Sequence, residues 1–84
     1  MSTLAPVQEL TLLNALRAGQ SAVVEAVVGV SELAHRLREM GLRVGATIQM
    51  IQPGTTCLVR LGEHRLGLRA SELAGVLVRP EERP

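Results

Sequence analysis

Two six-residue runs, Thr56 to Leu61 and His64 to Arg69, flank the dipeptide Gly62-Glu63. This arrangement constrains the chain more than any other feature. A two-residue loop with glycine first suits a type II′ turn, whose twist matches that of the strands it joins. A loop of that length also fixes the register. It sets Leu61 opposite His64, Arg60 opposite Arg65, Val59 opposite Leu66 and Cys57 opposite Leu68. Directly paired residues share a sheet face. Cys57, Val59, Leu61, His64, Leu66 and Leu68 are therefore expected to form an inner, mostly apolar set. Arg60 and Arg65 face outward, with Leu58 and Arg69 nearby.

The rest of the chain reads as short strands around one helix. Leu13, Leu16 and Gly19 are spaced three apart, which suggests a single helical turn stopped by Gly19. Ser21 to Val28 is rich in β-branched valine and ends at Gly29, a strand signal. Val23, Val24, Val27 and Val28 do not alternate cleanly, and a bulge or burial on both faces accounts for that. Ser31 can cap a helix, with Glu32 favourably placed in its first turn. Leu33, Leu37 and Met40 follow at one helical face and are assigned to the core. Gly41 ends the helix, and Leu42 seals it against the core. After a turn at Arg43-Val44-Gly45, Thr47 to Gln52 reads as a strand whose alternation Ile51 breaks. Pro53-Gly54 is a turn. Ala70 to Ala74 reads as a helical turn capped by Ser71, and Val76 to Val78 as a closing strand.

Five or so short strands in 84 residues suit a partly closed barrel, which removes most exposed edges. The chain holds no Phe, Tyr or Trp, so its core is built from Leu, Val, Ile, Ala and Met. Hydrophobic residues at 46% supply enough of these to oppose wholesale disorder. Residues 1–9 are expected to form a loose arm, 10–80 the barrel domain and 81–84 a polar tail. The first residues carry neither a basic nor an apolar stretch of signal-peptide type. No apolar run approaches the ~20 residues of a spanning helix. The expectation is a soluble cytoplasmic protein that reaches a membrane only through a partner.

Chemistry-bearing patterns are few. A net charge of +1 and the missing aromatics argue against nucleic acid as a partner, because backbone attraction and base stacking both lack their usual groups. The single cysteine, Cys57, excludes an internal disulfide. Its register places it at the opposite end of the hairpin from His64, with no third group to orient either, so no Cys/His catalytic pair is read. Glu32-x-x-His35 followed by Glu39 resembles a metal-ligating spacing. One copy on one short helix offers too few ligands for a ferrous site. These three are weak metal candidates only, and the bland reading is a solvated helix face with Glu32 supporting Arg36. No phosphate loop, dinucleotide glycine pattern or zinc cluster is present. No cofactor and no enzyme activity are expected.

The surface candidates are cationic. Arg60, Arg65 and Arg69, with Leu58, form one candidate docking face, since opposed like charges leave room for a carboxylate or phosphate to relieve them. Arg36, Arg38 and Arg43 form a second, on the helix and the turn after it.

Three segments carry a family resemblance. They are Leu13-x-x-Leu16-x-x-Gly19-x-x-Ala22-x-Val24, then Arg36-Leu37-x-x-Met40-Gly41-Leu42-x-x-Gly45, then Leu66-Gly67-Leu68-Arg69-x-x-Glu72. Together they resemble the FeoA domain, from about Leu10 to Val78. Two positions depart from the family pattern: Val44 stands where proline commonly precedes Gly45, and Gly67 where alanine is usual. The resemblance implies an SH3-like barrel with one helix inserted after the first strand. It implies a small cytoplasmic accessory of ferrous iron transport, in contact with the FeoB-type transporter and its GTP-binding domain. The alternative it implies is a stand-alone regulatory barrel related to the C-terminal domain of repressors of the diphtheria-toxin-repressor type. Homo-oligomerisation stays open.

Overall fold

The computed structural model describes residues 10–28 and 32–81. They form one curled antiparallel sheet of six strands. These are β1 (Thr11–Leu12), β2 (Ser21–Val27), β3 (Thr47–Gln52), β4 (Thr56–Leu61), β5 (His64–Arg69) and β6 (Val76–Pro80), in the spatial order β1-β6-β2-β3-β4-β5. One helix, α1 (Glu32–Glu39), is inserted between β2 and β3. Two 3₁₀ segments, Leu13–Ala15 and Ala70–Gly75, complete the fold, and the second contacts both outer strands, β1 and β5. This is the mainly β, partly open barrel expected. The strand beyond the five expected is the two-residue β1, which pairs with β6.

The hairpin register is as the loop length requires. Leu61 pairs with His64, Arg60 with Arg65, Val59 with Leu66 and Cys57 with Leu68. Gly62 has φ +63°, the left-handed region that the first position of such a turn needs. Cys57, Val59 and Leu61 are buried, and Leu66 and Leu68 are half-buried against the core. His64 corrects the inner set: it is exposed, because it closes the ladder at the rim. The Cys57 thiol donates to the Gly54 carbonyl at 3.3 Å, joining the strand to the turn before it.

Two bulges explain the two breaks in alternation. The β2–β6 register shifts between Val24 and Ala26, so Glu25 is the extra residue, and its carboxylate accepts from Arg79 Nε at 2.7 Å. The β3–β4 register shifts between Met50 and Gln52, which makes Ile51 the extra residue. Each bulge bends and twists its strand. The sheet thereby curls around Val24, Ile48, Met50, Val59 and Val78, all at most 1% exposed. No buried polar or charged residue occurs among the described residues.

Helix α1 departs from expectation at its end. Leu37 is buried, as is Ala34, but Met40 is 40% exposed. The backbone gives the reason. Leu42 N–H donates to Leu37 C=O and Gly41 N–H to Arg38 C=O, at 2.9 and 3.0 Å, with Gly41 at φ +108°. This pair of bonds is a Schellman turn. It reverses the chain so that Leu42, 1% exposed, takes the core position, while Met40, its N–H still donating to the Arg36 carbonyl at 3.1 Å, stays at the exposed rim. The expected Ser31 cap lies outside the described residues, and the Leu33 side chain is likewise not described.

The other 3₁₀ expectations need smaller corrections. The first turn covers Leu13–Ala15 and its chain is extended again by Leu16, ahead of Gly19. At the second, Ser71 is not the cap. Arg69 holds that position, and Glu72 Oε1 accepts its backbone N–H at 2.9 Å.

Gly75 marks the closest backbone approach. Val28 N–H donates to Gly75 C=O at 2.7 Å, and a Cβ built on Gly75 would stand 2.8 Å from the Val28 carbonyl oxygen. Gly75→Ala is expected to lower unfolding free energy by about 1–3 kcal/mol, the usual scale for overpacking. Met50→Ala is expected to cost about 2–5 kcal/mol through the cavity it leaves. Urea unfolding checks both, with Gly67→Ala as the control: its added Cβ meets nothing within 4 Å.

Candidate interaction surface

The outer face of the sheet carries a polar row. Ser21 pairs with Gln49, Gln49 with Arg60 and Arg60 with Arg65, so four strands each contribute one residue to the same line. The alternation that buries Ile48, Met50, Val59 and Leu61 is what turns this row outward. Gln49 Nε2 donates to the Gly19 carbonyl at 3.2 Å, and Arg60 Nε to the Gly62 carbonyl at 3.4 Å. Arg60 lies between two shallow depressions of about 260 Å³ each. One is lined by Ser21, Thr47, Gln49 and Gly62 beside it, the other by Gly19, Gln49, Ile51 and Arg65. Two guanidinium groups on one face present planar donor forks suited to carboxylate or phosphate oxygens. Arg69 is also exposed and pairs with Thr56, and Leu58 is half-buried opposite Gly67.

The two candidate surfaces read from the sequence meet in space. Arg36, Leu37 and Met40 from α1 and its end line a groove of about 210 Å³ with residues 65–68 of β5. Arg36 and Arg65 therefore flank one apolar channel. Arg38 and Arg43 are exposed and do not line it. Sequence reasoning missed Met40 as a surface residue, because periodicity cannot foresee that Leu42, brought back by the Schellman turn, fills the core place at the helix end. It also passed over Gln49, whose role follows only from pairing with Arg60 across β3 and β4.

The weak metal candidates separate into a pair and a remainder. His35 Nε2 and Glu39 Oε2 are 3.2 Å apart at i,i+4, with both side chains about two-thirds exposed (69% and 67%). Among the described residues, the ion pairs are this one and Glu25–Arg79, so the expected Glu32–Arg36 support is not formed. Among the same residues, no three or more His, Cys, Asp or Glu side chains gather closely enough to hold a metal ion. Cys57 is fully buried and His64 exposed, at opposite ends of the β4–β5 ladder.

A filled, curled barrel with a helix inserted after its second strand defines a domain of SH3-like class. The sequence model of the FeoA domain matches residues 11–80, and the chain belongs to that family. Among solved structures, the zinc complex of Stenotrophomonas maltophilia FeoA is 34% identical, with a TM-score of 0.78 over 88% of this chain and 99% of that one. That protein is described as a prokaryotic SH3-domain protein and proposed as a bacterial ferrous iron transport activating factor. FeoA from Chlorobium tepidum is 29% identical, with a TM-score of 0.76 over 82% of this chain and 69% of that one. The T. acidophilum protein IdeR shares the fold alone, at 16% identity and TM-score 0.78 over 94% of this chain and 37% of that one. Comparison with curated proteins finds no match. Among the described residues, no helix is long and apolar enough to cross a membrane.

The opposed arginines have a measurable cost. Arg65→Glu converts a like-charged cross-strand pair into an opposite-charged one, and is expected to raise stability by about 0.2–1 kcal/mol. Urea unfolding at low and high salt checks this. The gain should shrink as salt screens the pair.

Proposed function

We propose that this chain is a non-enzymatic cytoplasmic accessory of ferrous iron transport, acting by contact with the FeoB-type transporter at its GTP-binding domain. Membership of the FeoA family supports the transport setting. The observation that carries the mode of action is the division between inside and outside. The buried residues described are all apolar, with Asn14 Oδ1 the one buried side-chain polar atom left without a partner, whereas the outer face carries Arg60 directly against Arg65. A domain built this way has its chemistry on its surface, and its effect on a partner is a difference in affinity between that partner's conformations. The docking face in this reading comprises Arg60, Arg65, Arg69 and Leu58, with Arg36 bordering it across the groove; Arg38 and Arg43, also exposed, are the remaining cationic candidates. Carboxylates on the partner supply the complementary charge, which raises association rate and fixes orientation. Iron is the cargo of the transporter in this scheme, and no step requires this chain to ligate it. The likeness to IdeR extends to fold, which leaves the alternative of a detached regulatory barrel without a residue-level observation of its own.

The test is binding of the purified full chain to a recombinant FeoB GTP-binding domain from the same source. Arg60→Glu combined with Arg65→Glu is expected to weaken binding about tenfold or more, on the scale of charge-assisted hydrogen bonds lost at an interface. Unfolding curves establish that the double variant is folded. A folded double variant that binds as tightly as the wild type removes this face from the reading.

A further inference from the structure

Strand β5 is an outer strand of the sheet, and among the described residues no strand pairs with its far side. The turn geometry says which backbone groups line that side. In a two-residue hairpin the residues closing the loop, Leu61 and His64, exchange both of their hydrogen bonds, and bonded and non-bonded pairs alternate from there. His64, Leu66 and Leu68 thus direct their N–H and C=O groups at β4. Arg65, Gly67 and Arg69 direct theirs at the far side. The observed bonds agree with this alternation: Ala70 N–H donates back to Thr55 C=O at 2.9 Å, and Arg69 N–H is taken up by Glu72 at 2.9 Å. Among the described residues, no hydrogen bond engages the N–H or C=O of Arg65 or Gly67 on that side.

Sheet edges left open are usually blunted by a bulge, a proline, an inward-pointing charge or charged side chains along the edge. β5 has only the last of these, Arg65 and Arg69, which oppose a like-charged strand and leave the edge to an acidic one. β5 pairs with β4 over all six residues without a register shift, and its inward-facing residues beyond the rim are Leu66 and Leu68. Gly67, midway along, is exposed, and no atom crowds the space where its Cβ would be. Directly alongside runs the apolar groove of about 210 Å³ whose far wall is Leu37 and the exposed Met40, with Arg36 and Arg65 bordering it.

We propose that this edge accepts an extended segment of a partner protein as a seventh strand, one that alternates acidic and apolar residues. The added backbone bonds to the N–H and C=O of Arg65 and Gly67, the mode of recognition called strand addition. Side chains of the added strand alternate between the two faces. Those on the inner face lie beside Leu66 and Leu68, and one apolar side chain enters the groove against Leu37 and Met40. Those on the outer face lie beside Arg65 and Arg69, where carboxylates neutralise charge that the chain itself leaves unopposed. Charge complementarity selects this occupant over a second copy of the chain, whose own β5 would bring Arg65 and Arg69 against the same residues. The inference goes beyond the transporter reading and holds whichever protein carries the segment.

The probe is a capped synthetic peptide alternating Glu and Leu, with a Lys and Leu peptide as control, added to the full chain. The expected result is slowed hydrogen exchange at the Arg65 and Gly67 amides and a shifted Met40 methyl resonance with the acidic peptide only. Gly67→Pro removes the edge donor without touching the β4 ladder, and should weaken binding about tenfold. Gly67→Ala retains the donor and should bind as the wild type does. Met40→Glu, at an exposed position, should weaken binding with the fold intact. Absence of binding overturns the proposal, as does binding that leaves the two amides unprotected or is unaffected by Gly67→Pro. Protection that grows with protein concentration without peptide assigns the edge to a second copy, and also overturns it. Peptide binding without binding to the GTP-binding domain removes only the transporter reading. Transporter binding indifferent to Gly67→Pro, together with acidic-peptide binding equally indifferent to it, removes only this one.

Discussion

A chain without aromatic side chains has to fill its interior with many small pieces, and that requires strands to bend closely around them. The two bulges make the bend. With Glu25 and Ile51 each inserted as one extra residue, β2 and β3 curl, and Val24, Ile48, Met50, Val59 and Val78 converge on a common centre. A flat sheet of the same residues would leave much of this apolar surface wet, at roughly 25 cal/mol for each Å² exposed. The helix then needs only to plug one side. Its buried contribution is brief, through Ala34 and Leu37, and Leu42 completes it from beyond the helix end.

Packing the interior so fully has consequences for the outside. Among the described residues, every charged group stands at the surface or in its half-buried margin. The same alternation that buries one side of β3, β4 and β5 lines up Gln49, Arg60 and Arg65 on the other. An unfavourable juxtaposition of two arginines is tolerated because water screens it at modest cost. A partner that replaces that water with carboxylates recovers the difference. The helix end adds a second feature to this surface, since Met40, left exposed where Leu42 takes the core position, gives the groove beside β5 an apolar wall.

Much of this was legible in residue order, and the reasons are local. Gly62-Glu63 between two equal runs dictated a register of six residue pairs, because a two-residue loop permits only one. The failed alternation among Val23, Val24, Val27 and Val28 left a bulge or burial on both faces open, and Ile51 marked a break without a cause; the structure places one inserted residue at each, Glu25 and Ile51. Gly41 marked the helix end for a local reason, having a backbone conformation that side-chain-bearing residues avoid. Where reading failed, the missing information was directional. Met40 matched the apolar face by count, yet Leu42, returning through the turn, took the core position and left Met40 at the rim. His64 matched the inner face by parity, yet stood at the rim where the inner face meets solvent.

The sequence alone determined strand pairing within the hairpin, the places where strands are interrupted, the aliphatic makeup of the core and the family, because each depends on neighbours a few residues apart or on a pattern carried in order along the chain. Only the tertiary structure decided that β5 is an outer strand, that Arg36 of the helix and Arg65 of the hairpin border one groove, and that Ser21, Gln49, Arg60 and Arg65 share a line. Those relations join residues far apart in the chain, and they exist only once closure of the barrel has chosen the order of its strands and the side on which the helix lies.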